Sequence, residues 1–219
     1  RPMSETGFRV FTQAFPIGAA LLHAGLLAVF FRPFLPREAR PRKLLLVFSI
    51  YVLLDRICTR AALPQGSFGL IVLALLAAAS RRIGLERAQV FLLTLFFFNA
   101  RISGGLMAES LYFILERSLP VPTEPLESVF LRAAVLITLF LLAHTVLLAV
   151  MLHALQRRMR KQSMTLRRRE LCHISLVPTA GILFGQMISR LLIECRDGVL
   201  FQLYARHPSF LAVVPVLAL

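Results

Sequence analysis

Tryptophan is absent from the 219 residues, cysteine occurs three times, and only 16% of positions are charged. Each scarcity excludes something. Any aromatic belt at a membrane boundary must be built from phenylalanine and the few tyrosines instead of tryptophan. Cys58, Cys172 and Cys195 show no CxxC or other zinc-like spacing. Thiols on apolar helices behave as small apolar fillers, so no metal, redox or cofactor role follows from them. The shortage of charge accompanies 58% hydrophobic residues and a mean hydropathy of +0.75. Soluble globular chains are nearer 45–50% apolar and about 25% charged. A water-soluble domain of this length could not bury so much apolar surface, whereas a bilayer could. What charge there is sums to +14. A nucleic-acid binder would gather that charge on a continuous basic face, and a membrane protein would put it in alternate loops.

The second distribution is the one found. A helix needs about 20 apolar residues to cross the hydrocarbon core, and the chain reads as an all-α, polytopic transmembrane bundle of about seven segments. These are expected at 15–31, 44–62, 67–80, 88–115, 129–155, 171–193 and from 208 onward. Arg32, Arg37, Arg40, Arg42 and Lys43 separate the first two segments, and Arg81, Arg82 and Arg87 separate the third and fourth. Seven further Arg and Lys residues lie between Arg157 and Arg169. The intervening loops are uncharged, acidic or mixed, so the N-terminus is expected outside and the seventh segment is expected to run toward the cytoplasm. Basic residues 157–169 are expected to anchor topology on a solvated helical linker. Nucleic acid is not expected as a partner. Met3 is a plausible start, and the apolar run ending at Leu219 has no polar exit, so it is expected to be a cut. The proline-rich loop "RSLPVPTEPLES" is expected to be extended. No internal repeat is visible, which weakens an inverted-repeat transporter reading.

Polar residues within the apolar segments are costly, at about 2.5–3.5 kcal/mol for a charge at the bilayer centre on insertion scales. Arg101 falls near the middle of the fourth segment and is expected to share a face with Gly105, Ala108 and Tyr112. Asn99 and Ser103 form a second polar stripe, and Glu109 points off both. The simplest expectation for Arg101 is an ion pair with an acid on another helix, such as Asp55. Ser103-Gly104-Gly105 is a candidate break in the helix. Adjacent residues diverge around a helix, so Asp55 and Arg56 are expected to find different partners, while Arg190 and Glu194 are spaced to pair along one face. His23, His144 and His153 read as solitary, hydrogen-bonded core histidines. Cys172-His173 cannot easily form a nucleophile–base pair, because adjacent helical side chains point about 100° apart. HExxH, GxSxG and paired-aspartate motifs are absent, so no catalytic constellation emerges.

Two stretches carry a resemblance. In "NARISGGLMAESLYFILE" the pattern is Asn99, Arg101 and Ser110-Leu111-Tyr112. In the region from Glu170 onward it is Arg169-Glu170-Leu171, Val177-Pro178, Arg190, Asp197-Gly198, Leu203-Tyr204, His207-Pro208 and Val214-Pro215. Together they cover roughly a third of the chain and resemble the membrane region of AgrC-like sensor histidine kinases with a GHKL-type ATP-binding domain. The N-terminal helices match only in hydropathy.

The resemblance implies a multi-pass sensor domain in a bacterial plasma membrane, truncated before a cytoplasmic kinase. It implies an extracellular ligand, often a peptide, and a homodimer formed through the kinase region. On this reading the ligand contacts loops 120–127 and 197–208, and Asp55, Asn99, Arg101, Glu109, Arg190 and Glu194 are the candidate intramembrane signalling residues. Two rivals stand beside it: a small transporter using Arg101, Asp55 and Glu109 along a polar path, and an intramembrane peptide-processing enzyme.

Overall fold

The computed structural model describes residues 4–38, 40–61, 65–118, 126–161 and 168–194. Within them every regular element is an α-helix: α1 (Glu5–Phe31), α2 (Arg40–Arg60), α3 (Gln65–Ala78), the single turn α4 (Ser80–Ile83), α5 (Arg87–Ser118), α6 (Leu126–Lys161) and α7 (Arg168–Glu194). The expected seventh segment and loop residues 120–125 and 197–208 lie outside the described residues.

Helix α1 starts ten residues earlier than its apolar run. Ser4 caps it by accepting from the Gly7 backbone N–H at 3.2 Å, and Arg9 pairs with Glu5 one turn back at 2.7 Å. Pro16 lies inside α1 without ending it. Helix α5 runs unbroken through Ser103-Gly104-Gly105, against the expected break. Its glycines are held by neighbouring helices, and that packing outweighs an intrinsic cost of about 1 kcal/mol each. Helix α4 was not anticipated. Gly84 ends it at φ 79°, the left-handed conformation that favours glycine at a helix C-terminus.

Five helices close a ring: α1 packs on α2, α2 on α3, α3 on α5, α5 on α6, and α6 on α1. Helix α7 lies outside this ring against α5. The contacts fix directions. Phe8 stacks on Phe130 at 5.0 Å where α1 and α6 begin, and Gln156 near the end of α6 donates to the Val29 and Phe30 carbonyls at 3.2 Å near the end of α1. Those two helices are therefore parallel. Arg56 near the end of α2 donates to the Pro16 carbonyl at 3.1 Å, and Arg132 near the start of α6 to the Glu116 carbonyl at 2.9 Å. Both of these pairs of helices are antiparallel.

This alternation collects the basic segments at one end. A carbon added to Gly84 would lie 2.6 Å from Lys43 Nζ and 3.5 Å from Pro36. The connections carrying Arg37, Arg40, Arg42, Arg81 and Arg82 thus meet where α1 and α6 finish.

Among the described residues, three helices are long and apolar enough to cross a membrane: Glu5–Phe31, Arg87–Glu116 and Val129–Met159. About seven segments are expected from the sequence, and of these α2, α3 and α7 are the described helices that do not reach this length and apolarity. Helix α2 carries Arg40, Arg42, Lys43, Asp55, Arg56 and Arg60, and α3 has only 14 residues, about 21 Å at 1.5 Å per residue. In the apolar windows of the three long helices, 67% of α5 is buried against 33% of α1 and 22% of α6, which makes α5 the hub. Leu22, Val29, Leu53, Leu70, Val146 and Val150 lie on the outer surface, an exterior suited to hydrocarbon rather than water.

Helix α7 approaches α5 through Gly185, where an added carbon would overlap the Ile102 side chain. Gly185→Val is expected to cost about 1–3 kcal/mol through overpacking, and Ile102→Ala in the same chain should recover part of that loss. The check is a double-mutant cycle of unfolding in mixed micelles, where simple additivity would show that the two side chains do not meet.

Candidate functional site

The interior of the ring is polar at one level. Arg101 is the fifteenth of the 32 residues of α5 and leaves that helix between its two packing edges. One edge meets α3, where a carbon added to Gly69 would lie 3.6 Å from the Phe98 ring. The other meets α6, where a carbon added to Gly104 would lie 3.5 Å from His144 and 3.6 Å from the Leu148 backbone. Small residues permit this approach of helices, as expected, but Gly104 and Gly105 serve α6 while the Arg101 side chain reaches Phe68 of α3.

The Arg101 guanidinium carbon sits 5.5 Å from the centroid of the Phe68 ring, a cation–π geometry. The same ring meets Tyr51 edge-on at 5.3 Å, and Tyr51 also packs on Phe97 and Phe98 at 6.0 and 6.5 Å. From α6, His144 Nε2 donates to the Arg101 carbonyl at 3.0 Å, a bond that assigns the ring proton to Nε2. His23 of α1 lies against His144 with ring centroids 4.9 Å apart. The Arg101 charge bears on His23, His144 and Tyr51. Helices α1, α2, α3, α5 and α6 therefore each place one ring or charge at a single junction.

The rings at this junction are buried, while Arg101 itself is half-buried. Tyr51 is 0% exposed, His23 5% and His144 8%. The Tyr51 hydroxyl and His23 Nε2 are buried atoms with no hydrogen-bond partner among the described residues. Asn99 and Ser103 are buried beside the junction on α5.

The ion pair expected between Arg101 and Asp55 is not formed. Asp55 is bonded to Arg56, and among the described residues no carboxylate lies within 4 Å of Arg101. The divergence expected for Asp55 and Arg56 is also corrected. The long arginine side chain folds back onto its neighbour while also reaching the Pro16 carbonyl on α1, so helical angle alone does not decide the pairing. Glu109 follows Ile102 and Leu106 at helical spacing, on the stripe that Gly185 of α7 approaches. Asp55, Arg101 and Glu109 therefore do not line one path. The backbones of Arg190 and Glu194 belong to α7, while their side chains lie outside the described residues. Cys58 is buried and free, and among the described residues no cluster of His, Cys, Asp or Glu could hold a metal ion.

Sequence reasoning treated His23 and His144 as solitary and passed over Tyr51 and Phe68. A signal for part of this was present. His144 lies 13 residues before Arg157, and Arg101 lies 14 residues after Arg87. Measured from the basic loops, the two residues stand at one depth.

No family model, curated protein or solved structure matches the chain.

Proposed function

We propose that the chain is the transmembrane sensing domain of a bacterial two-component sensor histidine kinase. It relays an extracellular signal, such as a peptide, to a cytoplasmic kinase domain and dimerises through that kinase region. The domain sits multi-pass in the plasma membrane, with the basic end of the ring in the cytoplasm and the N-terminus outside.

The observation that carries this reading is the junction around Arg101. A charge at mid-span is held by the face of Phe68 and by the His144 bond to its own backbone, with no carboxylate lock among the described residues. Five helices depend on that one contact set, so a small rotation of any of them changes the environment of the charge. A relay needs such an element, in which a modest input shifts the balance between two packings. A transport path is less well supported, because Asp55 is engaged with Arg56 and Glu109 lies on the stripe facing α7.

Reading the gene beyond the codon for Leu219 tests the assignment. An open frame into a helical linker and an ATP-binding domain is the expected result, and a stop codon there overturns the kinase reading. In the complete receptor, Arg101→Leu is expected to leave membrane insertion intact and shift the resting signalling level severalfold. Unchanged output at normal expression removes Arg101 from the mechanism.

A further inference from the structure

We propose that the interior of the helix ring is a binding site for one monovalent anion. The Arg101 guanidinium and the Tyr51 hydroxyl donate to a halide or to a carboxylate group of a ligand. This site stands independently of the signalling role.

Three observations converge on it. First, a guanidinium stays charged in a protein and carries five N–H donors, whereas the Phe68 contact engages only its face. Among the described residues no acid is within ion-pair distance, and Asp55, whose charge also bears on Tyr51, is already bonded to Arg56. Second, Tyr51 is fully buried, and its hydroxyl has no partner among the described residues. Its ring abuts the same Phe68 that lies under Arg101, so the hydroxyl-bearing ring and the cation share one aromatic neighbour. A buried hydroxyl without a partner is costly in any apolar interior. Third, His23 Nε2 is another buried polar atom without a partner among the described residues, on a ring 4.9 Å from His144.

The charge count sets the class. One guanidinium beside neutral aromatic and imidazole groups balances a single negative charge. A phosphate dianion would leave an uncompensated charge inside an apolar ring. Halide and carboxylate meet the same requirement: one negative charge and acceptance of N–H and O–H bonds.

The test uses the purified full chain in nanodiscs of zwitterionic lipid, at constant ionic strength set with sulfate, a dianion that the single guanidinium does not balance. Chloride and, separately, acetate replace sulfate while the unfolding temperature is followed. A ligand that binds the folded state alone raises that temperature along a saturable curve. Such a rise with either anion is expected, and it should vanish in Arg101→Gln. Tyr51→Phe should raise the apparent Kd at least about tenfold, the loss expected for one hydrogen bond to a charged group. Response to chloride alone identifies a halide site, and response to acetate identifies a carboxylate site.

A linear dependence shared by wild type and Arg101→Gln means adventitious screening and overturns the proposal. A response that emerges only in Asp55→Asn makes Asp55 the resident counter-ion and overturns it as well. Should Arg101→Gln not fold, Arg101→Lys carries the test, because it keeps the charge and loses the planar fork, and an unchanged Kd there refutes the site.

Discussion

Truncating Tyr51 to alanine is expected to lower the stability of the bundle by about 3 kcal/mol, the low end of the range for a large buried ring. The lower figure applies because helix association in lipid rests on packing contacts more than on expulsion of water. Tyr51 is fully buried and meets Phe68, Phe97 and Phe98, so one side chain fastens α2 to both α3 and α5. Helix α2 is otherwise rich in charge, and its other buried residues are Val47, Leu54 and Cys58. Tyr51→Phe separates the ring from the hydroxyl. In sulfate the Phe variant should equal or exceed wild type, because it removes a buried hydroxyl that has no partner among the described residues, a burden of about 1–3 kcal/mol. Unfolding in increasing mole fraction of a denaturing detergent measures both variants. A loss below about 1 kcal/mol for Tyr51→Ala would mean that the ring packing is not the main fastening of α2.

The second large effect is expected at Gly104. A carbon added there would already touch the His144 ring and the Leu148 backbone at ordinary van der Waals distance, so the two further carbons of valine must displace them, and a backbone contact cannot swing aside as a flexible side chain can. Gly104→Val should cost about 3 kcal/mol, the upper end of ordinary overpacking, and should weaken the His144 bond to Arg101 as α6 is pushed outward. Gly18 and Gly25 on α1 supply the contrast, because an added carbon at either meets nothing within 4 Å. Valine at those two positions should change stability by no more than about 0.5 kcal/mol. Equal losses at Gly104 and Gly25 in the same detergent series would show that close packing of α5 on α6 is not what glycine provides there.

Hydropathy and loop charge made much of this architecture readable in advance. The apolar runs located the six helices of 14 residues or more among the described residues to within a few positions at most of their ends, because a long apolar run is a composition signal that hardly depends on neighbours. The start of α1 was missed, since Ser4 and Glu5 continue a helix by capping and local pairing after the apolar run has stopped. Alternation of basic loops anticipated that Lys43 and Gly84 would share an end. The partner of Arg101 was out of reach. Choosing between Asp55 and Phe68 requires the rotation of α2 and α3 about their own axes, and a run of apolar residues on all sides does not encode that rotation. The pairing of Asp55 with Arg56 depends on the reach of a flexible side chain, which helical angle does not capture.

The brevity of α3 has a consequence for the lipid around the ring. At 14 residues it covers about 21 Å, whereas the hydrocarbon core is about 30 Å thick. Its neighbours α2 and α5 are longer by 7 and 18 residues. In the membrane setting proposed above, the bilayer on that flank would have to thin, or headgroups and water dip, until they meet the end of the short helix. The dip lies on the side where Phe68, near the start of α3, lies under the Arg101 charge. In that setting acyl-chain length is a mechanical load on this wall. Thicker membranes stretch the mismatch and thinner ones relieve it, each at fractions of a kcal/mol per Å.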